Sequence, residues 1–116
     1  MSDDDPIQLP DGAPMAEYQR YIHDLEAFHG WLDVDLVHNC FLMGEEVGEL
    51  FKAVRKHNRY FDESAKGAPD PATKQAVTEE IVDVMNYLLA IANRMDIDVE
   101  QAFREKNGLN QRRRWD

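Results

Sequence analysis

Two long stretches of the chain repeat one apolar rhythm. Leu36, Cys40, Met43, Val47, Leu50 and Val54 step alternately by four and three residues, and Val77, Ile81, Val84, Leu88, Ile91 and Met95 do the same. This spacing runs one apolar seam along each of two long helices, predicts that the helices are matched partners, and competes with no strand signal. Tyr18, Tyr21, Ile22, Leu25 and Phe28 predict an earlier helix over 15–28, closed by Gly30. Asp33 is placed to cap the second helix, Asp70 followed by Pro71 starts the third, and Asp98 with Gln101 forms a capping box for a short fourth. The expectation is an all-α fold, an antiparallel helical bundle of about four helices.

The rest of the chain reads as connection. Residues 1–14 hold three consecutive Asp and three Pro, a composition that buries little apolar surface, and are expected to form a flexible tail ahead of a single domain over 15–116. Between Lys56 and Asp70 the periodicity fails, and a long mobile loop over 57–70 is expected. Gly48, inside the second helix, suggests close approach of a ligand or another backbone. Cys40, the one cysteine, forms no internal disulfide and reads as a small packed hydrophobe. A formal charge of −10 argues against a nucleic-acid polymer as partner. No apolar run approaches the roughly 20 residues of a membrane span, and the acidic start is unlike a signal peptide, so a cytoplasmic location is expected.

Acid interrupts the two long helices. Glu46 and Glu49 stand three apart on the second helix and Glu80 and Asp83 three apart on the third, with Glu45 beside the first pair. No basic residue at i±4 neutralises Glu46, Glu80 or Asp83. An acidic run is usually a solvated face, but here matched pairs border the same seam on two helices. Converging carboxylates are costly unless protonated or bound to a cation, and Mg²⁺, which takes carboxylate oxygens and keeps open positions, is the simplest occupant, with Mn²⁺ as a substitute. A di-iron site would add Glu-x-x-His on two helices. The two acid-bearing helices carry none, and His38 lies two turns before Glu46. Near the other end, Lys106, Asn110 and Arg113 step by four and three and would share a face if the fourth helix continued that far. The bland alternative is a solvated basic terminus. Together with the acids, the set describes a metal-assisted polyphosphate site.

With these motifs in place, and with Gly30-Trp31, Glu49-Leu50, Ile97-Asp98 and Trp115, the chain resembles the MazG-like family of all-α nucleoside triphosphate pyrophosphohydrolases from about Tyr18 to Trp115. The resemblance implies cleavage of a nucleotide between its α and β phosphates, in the service of nucleotide-pool house-cleaning. It implies Glu46, Glu49, Glu80 and Asp83 as metal ligands, Glu46 and Glu45 as catalytic groups, Glu45 orienting water or holding a further metal, and Lys106, Asn110 and Arg113 as the phosphate-binding set. It also implies a homo-oligomer. Trp31, His38, Asn39 and Tyr87 are candidates to stack on or hydrogen-bond the base. Within the superfamily, dimeric dUTPase-like or phosphoribosyl-ATP-cleaving specificity stays open. A rival of another class is a non-catalytic helical module that binds a partner and whose acids are only surface.

Overall fold

A computed structural model describes residues 2–63 and 71–113, with the backbone alone for 59–63. The described residues form four helices and no strand: α1 (Met15–His29), α2 (Leu36–Glu63), α3 (Pro71–Arg94) and α4 (Val99–Arg112). The chain is all-α. It divides into two compact units, Asp35–Leu88 and Met1–Val34 with Leu89–Asp116, and α3 contributes to both.

In the unit that holds α1, the end of α3 and α4, Ile22, Leu89 and Ala90 form the buried core, with Met15, Tyr18, Tyr21, Leu25 and Val99 packed around them. Two amides fasten it. Gln19 Nε2 donates to Asn93 Oδ1 (3.0 Å) and to the Ile97 carbonyl (2.8 Å), while Asn93 Nδ2 donates to the Gln19 carbonyl (2.8 Å). Gln19 Oε1 then accepts from the amide of Val99 at the start of α4 (3.0 Å). An ion pair carries the same unit further. Arg94 reaches both carboxylate oxygens of Glu26 (2.9 and 2.7 Å) and the carbonyls of Val34, Trp31 and Ala90, so all five guanidinium N–H groups have acceptors.

The helix ends follow local rules. Gly30 sits at φ 74° and caps α1, with the Trp31 amide returning to the Glu26 carbonyl (2.8 Å), the left-handed closure glycine permits. α3 closes the same way through Asp96 at φ 53°, where a side chain and a negative charge both oppose the geometry. Asp98 caps α4 by accepting from the Gln101 amide (3.1 Å), but the reciprocal half of the expected box is absent, because the Gln101 side chain bonds Glu105. The α2 cap is Asp35, not Asp33: its carboxylate accepts from the His38 amide at 2.7 Å after a turn from Trp31 to Val34. α2 also runs to Glu63, so 57–63, expected as loop, is helix. Asp70 and the rest of the expected loop, like Trp115, lie outside the described residues. In the N-terminal segment, Gln8 donates to the carbonyls of Ser2 and Asp5, and its own carbonyl accepts from Arg20 of α1.

In the unit Asp35–Leu88, α2 and α3 run antiparallel, since Glu46 meets Glu80 early in α2 while His57 Nδ1 meets Thr73 Oγ1 (2.6 Å) late in it. The covered face keeps Leu36, Met43, Val47 and Leu50 of the expected α2 seam and Val77 and Val84 of the α3 seam, and adds Asn39, Leu42, Glu46, Ala53 and His57 on α2 and Thr73, Glu80, Asp83, Asn86 and Tyr87 on α3. Cys40 and Val54 of the expected stripe are exposed, and so are Ile81, Leu88 and Met95. Cys40 is therefore not a packed hydrophobe. Gly48 does not mark a close approach within the chain either: a Cβ built there, or at Gly44, meets nothing within 4 Å. Each costs the helix about 1 kcal/mol relative to Ala with no compensating contact inside the chain.

Candidate metal centre

The register of α2 against α3 places acid in the middle of the covered face. Glu46 and Glu80 both lie within that covered face, and Asp83 lies one turn beyond Glu80. One carboxylate oxygen from each of Glu46, Glu80 and Asp83 falls within 4.8 Å of the other two, and all three residues are half-buried. No basic partner is recorded for any of them among the described ion pairs.

The electrostatics match this crowding. Desolvation lifts the Glu46 carboxyl above its ordinary range, helped by its hydrogen bond with the Glu80 carboxyl and by the negative charges of Asp83, Glu80 and Glu49. Glu80 Oε2 is buried and has no hydrogen-bond partner. A buried carboxylate oxygen left in that state costs roughly 1–3 kcal/mol, more when charged. Three converging carboxylates, beside a buried Glu80 oxygen that has no partner, fit a hard divalent cation, which would offset their mutual repulsion.

The other expected site residues fall as follows. Glu49 is exposed and outside the three-carboxylate cluster, though near enough to act on Glu46. Glu45 is exposed. His38 is exposed, whereas Asn39 is 2% exposed with Nδ2 donating to the Asp35 carbonyl (2.9 Å), so Asn39 serves the start of α2. Tyr87 is half-buried on the covered face of α3. In the other unit, Trp31 is half exposed and stacks on His29 with ring centroids 4.3 Å apart. Lys106 and Asn110 share a face of α4, one turn apart, and Asn110 Nδ2 donates to Asn107. Arg113 does not continue that face, because the helix ends at Arg112 and Arg113 is its extended C-cap.

The sequence reading missed the Glu26–Arg94 pair, whose partners lie far apart in the chain and share no local spacing. Glu26 also begins the chain's one Glu-x-x-His, with His29. That motif is already engaged, Glu26 by Arg94 and His29 by Trp31.

Residues 17–108, most of the chain, match the family described as phosphoribosyl-ATP pyrophosphohydrolase. The chain belongs to that family. It is thereby a member of the MazG-like all-α nucleotide pyrophosphohydrolases, as its motifs implied. Membership in the phosphoribosyl-ATP pyrophosphohydrolase family makes the chain a pyrophosphohydrolase, with a nucleotide as substrate. The matched region contains all three carboxylates of the cluster and Lys106 of the expected phosphate set, and ends before Asn110. No curated protein matches the chain closely enough to be named a relative. No helix among the described residues is long and apolar enough to cross a membrane.

Proposed function

We propose that the chain is a Mg²⁺-dependent nucleotide pyrophosphohydrolase that splits the α–β phosphoanhydride of a (d)NTP into a monophosphate and pyrophosphate, a house-cleaning activity of the cytoplasmic nucleotide pool. The observation that carries this reading is the convergence of Glu46, Glu80 and Asp83, with a buried Glu80 oxygen that has no hydrogen-bond partner. Glu46, Glu80 and Asp83 would hold the ion, with Glu49 swinging in as a fourth ligand. Bound there, Mg²⁺ or Mn²⁺ would neutralise phosphate charge and make water a better nucleophile. Glu45, exposed beside Glu46, orients the attacking water or takes a further metal. Lys106 supplies a point charge, Arg113 a guanidinium fork and Asn110 an amide to the phosphate oxygens. Trp31, His38, Asn39 and Tyr87 are the proposed base contacts.

A second reading, with phosphoribosyl-ATP as the substrate, is favoured by the family match. Both substrates break at the same anhydride, so the residue roles are unchanged. Domain limits of 15–116, with 1–14 as an appendage, are supported by the start of α1 at Met15 and of the match at residue 17. The many apolar side chains left exposed support a homo-oligomer. A panel of dUTP, dCTP, purine (d)NTPs and phosphoribosyl-ATP, each with Mg²⁺, tests the proposal. Pyrophosphate with a monophosphate from at least one of them is expected. Orthophosphate from every substrate, or no turnover at all, would overturn it, and a chain that also ignores Mg²⁺ in a thermal melt would be the non-catalytic module.

A further inference from the structure

Arg94 closes α3 with a guanidinium that serves three stretches of chain at once. Nη1 and Nη2 grip the Glu26 carboxylate of α1, Nη1 also reaches the Ala90 carbonyl, and Nε and Nη2 hold the carbonyls of Val34 (2.8 Å) and Trp31 (3.1 Å). The pair is well covered, with side chains 15 and 9% exposed. Burying two charges is a poor route to stability, because apolar residues of similar volume often do as well or better, so the acceptors say more about the use of this pair than its charges do. Two of the five bonds go to the two ends of one turn, residues 31–34, which the Val34 amide also closes on the Trp31 carbonyl (3.1 Å). That turn carries a half-exposed indole. Trp31 is fixed at both ends, its backbone by Arg94 and its ring by His29, which lies within 19° of parallel at 4.3 Å. The stack covers one face of the indole, and the exposed half of the side chain is what a planar ligand can reach.

We propose that Glu26 and Arg94 are positioning residues for nucleotide binding, which fix the 31–34 turn and so hold Trp31 with its free face presented to the substrate's base. The proposal rests on the reading of Trp31 as a base contact and adds the residues that make that contact rigid. Stacking depends on the offset and tilt of the two rings. A ring that must be immobilised as the ligand arrives gives up part of the binding free energy, and one already held avoids that loss. A guanidinium suits this task better than an ammonium, since its planar fork meets a carboxylate and two turn carbonyls together. Both Glu26 oxygens and all five Arg94 N–H groups are engaged inside the fold, so the pair acts through Trp31 and not by touching the nucleotide. Every base has a π-face, so the effect extends to purines and pyrimidines alike and falls on affinity, leaving bond breaking to other residues.

A Trp115→Phe background leaves Trp31 as the one tryptophan of the chain. AMP, GMP, CMP and UMP, each with Mg²⁺, present a base and a phosphate but no anhydride to cleave, and inorganic phosphate is the probe without a base. At least one monophosphate should quench Trp31 fluorescence, and inorganic phosphate should not. Glu26→Leu/Arg94→Met removes the pair without stranding a charge, and should lower the fluorescence anisotropy of Trp31 and weaken monophosphate binding by about tenfold, the size of one lost base stack. Arg94→Lys, which keeps a charge for Glu26 but gives up the fork, should do the same and reads the effect if the double variant does not fold. In turnover, KM should rise by that factor while kcat stays within about twofold. In a Trp31→Ala background, with binding followed by calorimetry, removing the pair should add nothing, because both changes delete one interaction. Unchanged affinity in both pair variants, a loss of affinity that persists in Trp31→Ala, or a fall in kcat at constant KM would overturn the proposal. Binding indifferent to Trp31→Ala would overturn it together with the base-contact reading, whereas binding that needs Trp31 but not the pair overturns the positioning role alone.

Discussion

Replacing Glu46 by Gln should have opposite effects on stability with and without divalent metal. Metal-free, Glu46 is one of three carboxylates whose oxygens lie within 4.8 Å of one another. Two like charges at that distance repel by about 1 kcal/mol at the dielectric of water and about 3.5 kcal/mol at the value typical of a protein surface. The substitution removes two of the three repelling pairs and keeps the shape, and because Glu46 and Glu80 already relieve part of the strain by sharing a hydrogen bond, a net gain of about 1–3 kcal/mol is expected at pH 7. For a domain of this size that is a rise of roughly 4–12 °C in Tm. With Mg²⁺ the order reverses. An ion present at 100 times its Kd stabilises the unaltered chain by about 2.7 kcal/mol, and the variant, lacking a ligand, should lose most of that. The pH dependence has a definite sign. Glu46 titrates above its ordinary 4.5 in the fold, so the unfolded chain ionises first as pH rises, and metal-free stability falls from about pH 4.5 upward until the folded carboxyl has also ionised. Glu46→Gln lacks that contribution. Calorimetric melts of both proteins at pH 4.5 and 7.5, with EDTA or with Mg²⁺, read all four corners. A variant less stable than its parent in EDTA, or one that keeps the full Mg²⁺ shift, would refute the reasoning.

Breaking the Glu26–Arg94 pair by Arg94→Ala should cost about 3–5 kcal/mol in urea unfolding, because it strands Glu26, whose side chain is 9% exposed. Arg94→Lys should recover little, since a lysine cannot serve five acceptors at once. Asp98→Ala removes the cap of α4 and should cost about 1 kcal/mol by the same measurement. Asp96→Gly should do the reverse, raising stability by about 0.5–1 kcal/mol as it relieves a left-handed side chain and a charge at the wrong helix end. Lys106→Ala, losing a charged contact of about 1.5–3 kcal/mol, should lower kcat/KM by roughly 10- to 100-fold with helix content unchanged; an effect below twofold would remove Lys106 from the phosphate set.

Local rules carried the helices but not their orientation. Gly30, Asp98 and Pro71 mark ends because capping depends on a few neighbouring residues, and the structure has them where the chain order suggests. Periodicity found part of the covered side of α2, since Leu36, Met43, Val47 and Leu50 are covered. It selects apolar positions only, whereas the covered side also holds Asn39, Glu46 and His57, and an apolar row with Phe41 and Phe51 is left outside. A half-buried acid cluster puts polar residues on the covered side, which an apolar pattern does not select. The acids themselves were legible, since Glu46, Glu80 and Asp83 stand at helical spacing without basic neighbours. Arg94 was not, because its acceptors come from α1, the α1–α2 turn and α3, and long-range pairing leaves no mark on local spacing.

Product analysis with a covered-face variant bears most directly on the role of the carboxylate cluster. The unaltered chain, given its preferred nucleotide and Mg²⁺, should release pyrophosphate and a monophosphate in equal amounts and stop when the metal is chelated. Asp83→Asn, folded and with unchanged helix content, should lose that release by 100-fold or more. Equal turnover by Asp83→Asn, or turnover that persists in EDTA, would contradict a metal-holding role for Glu46, Glu80 and Asp83.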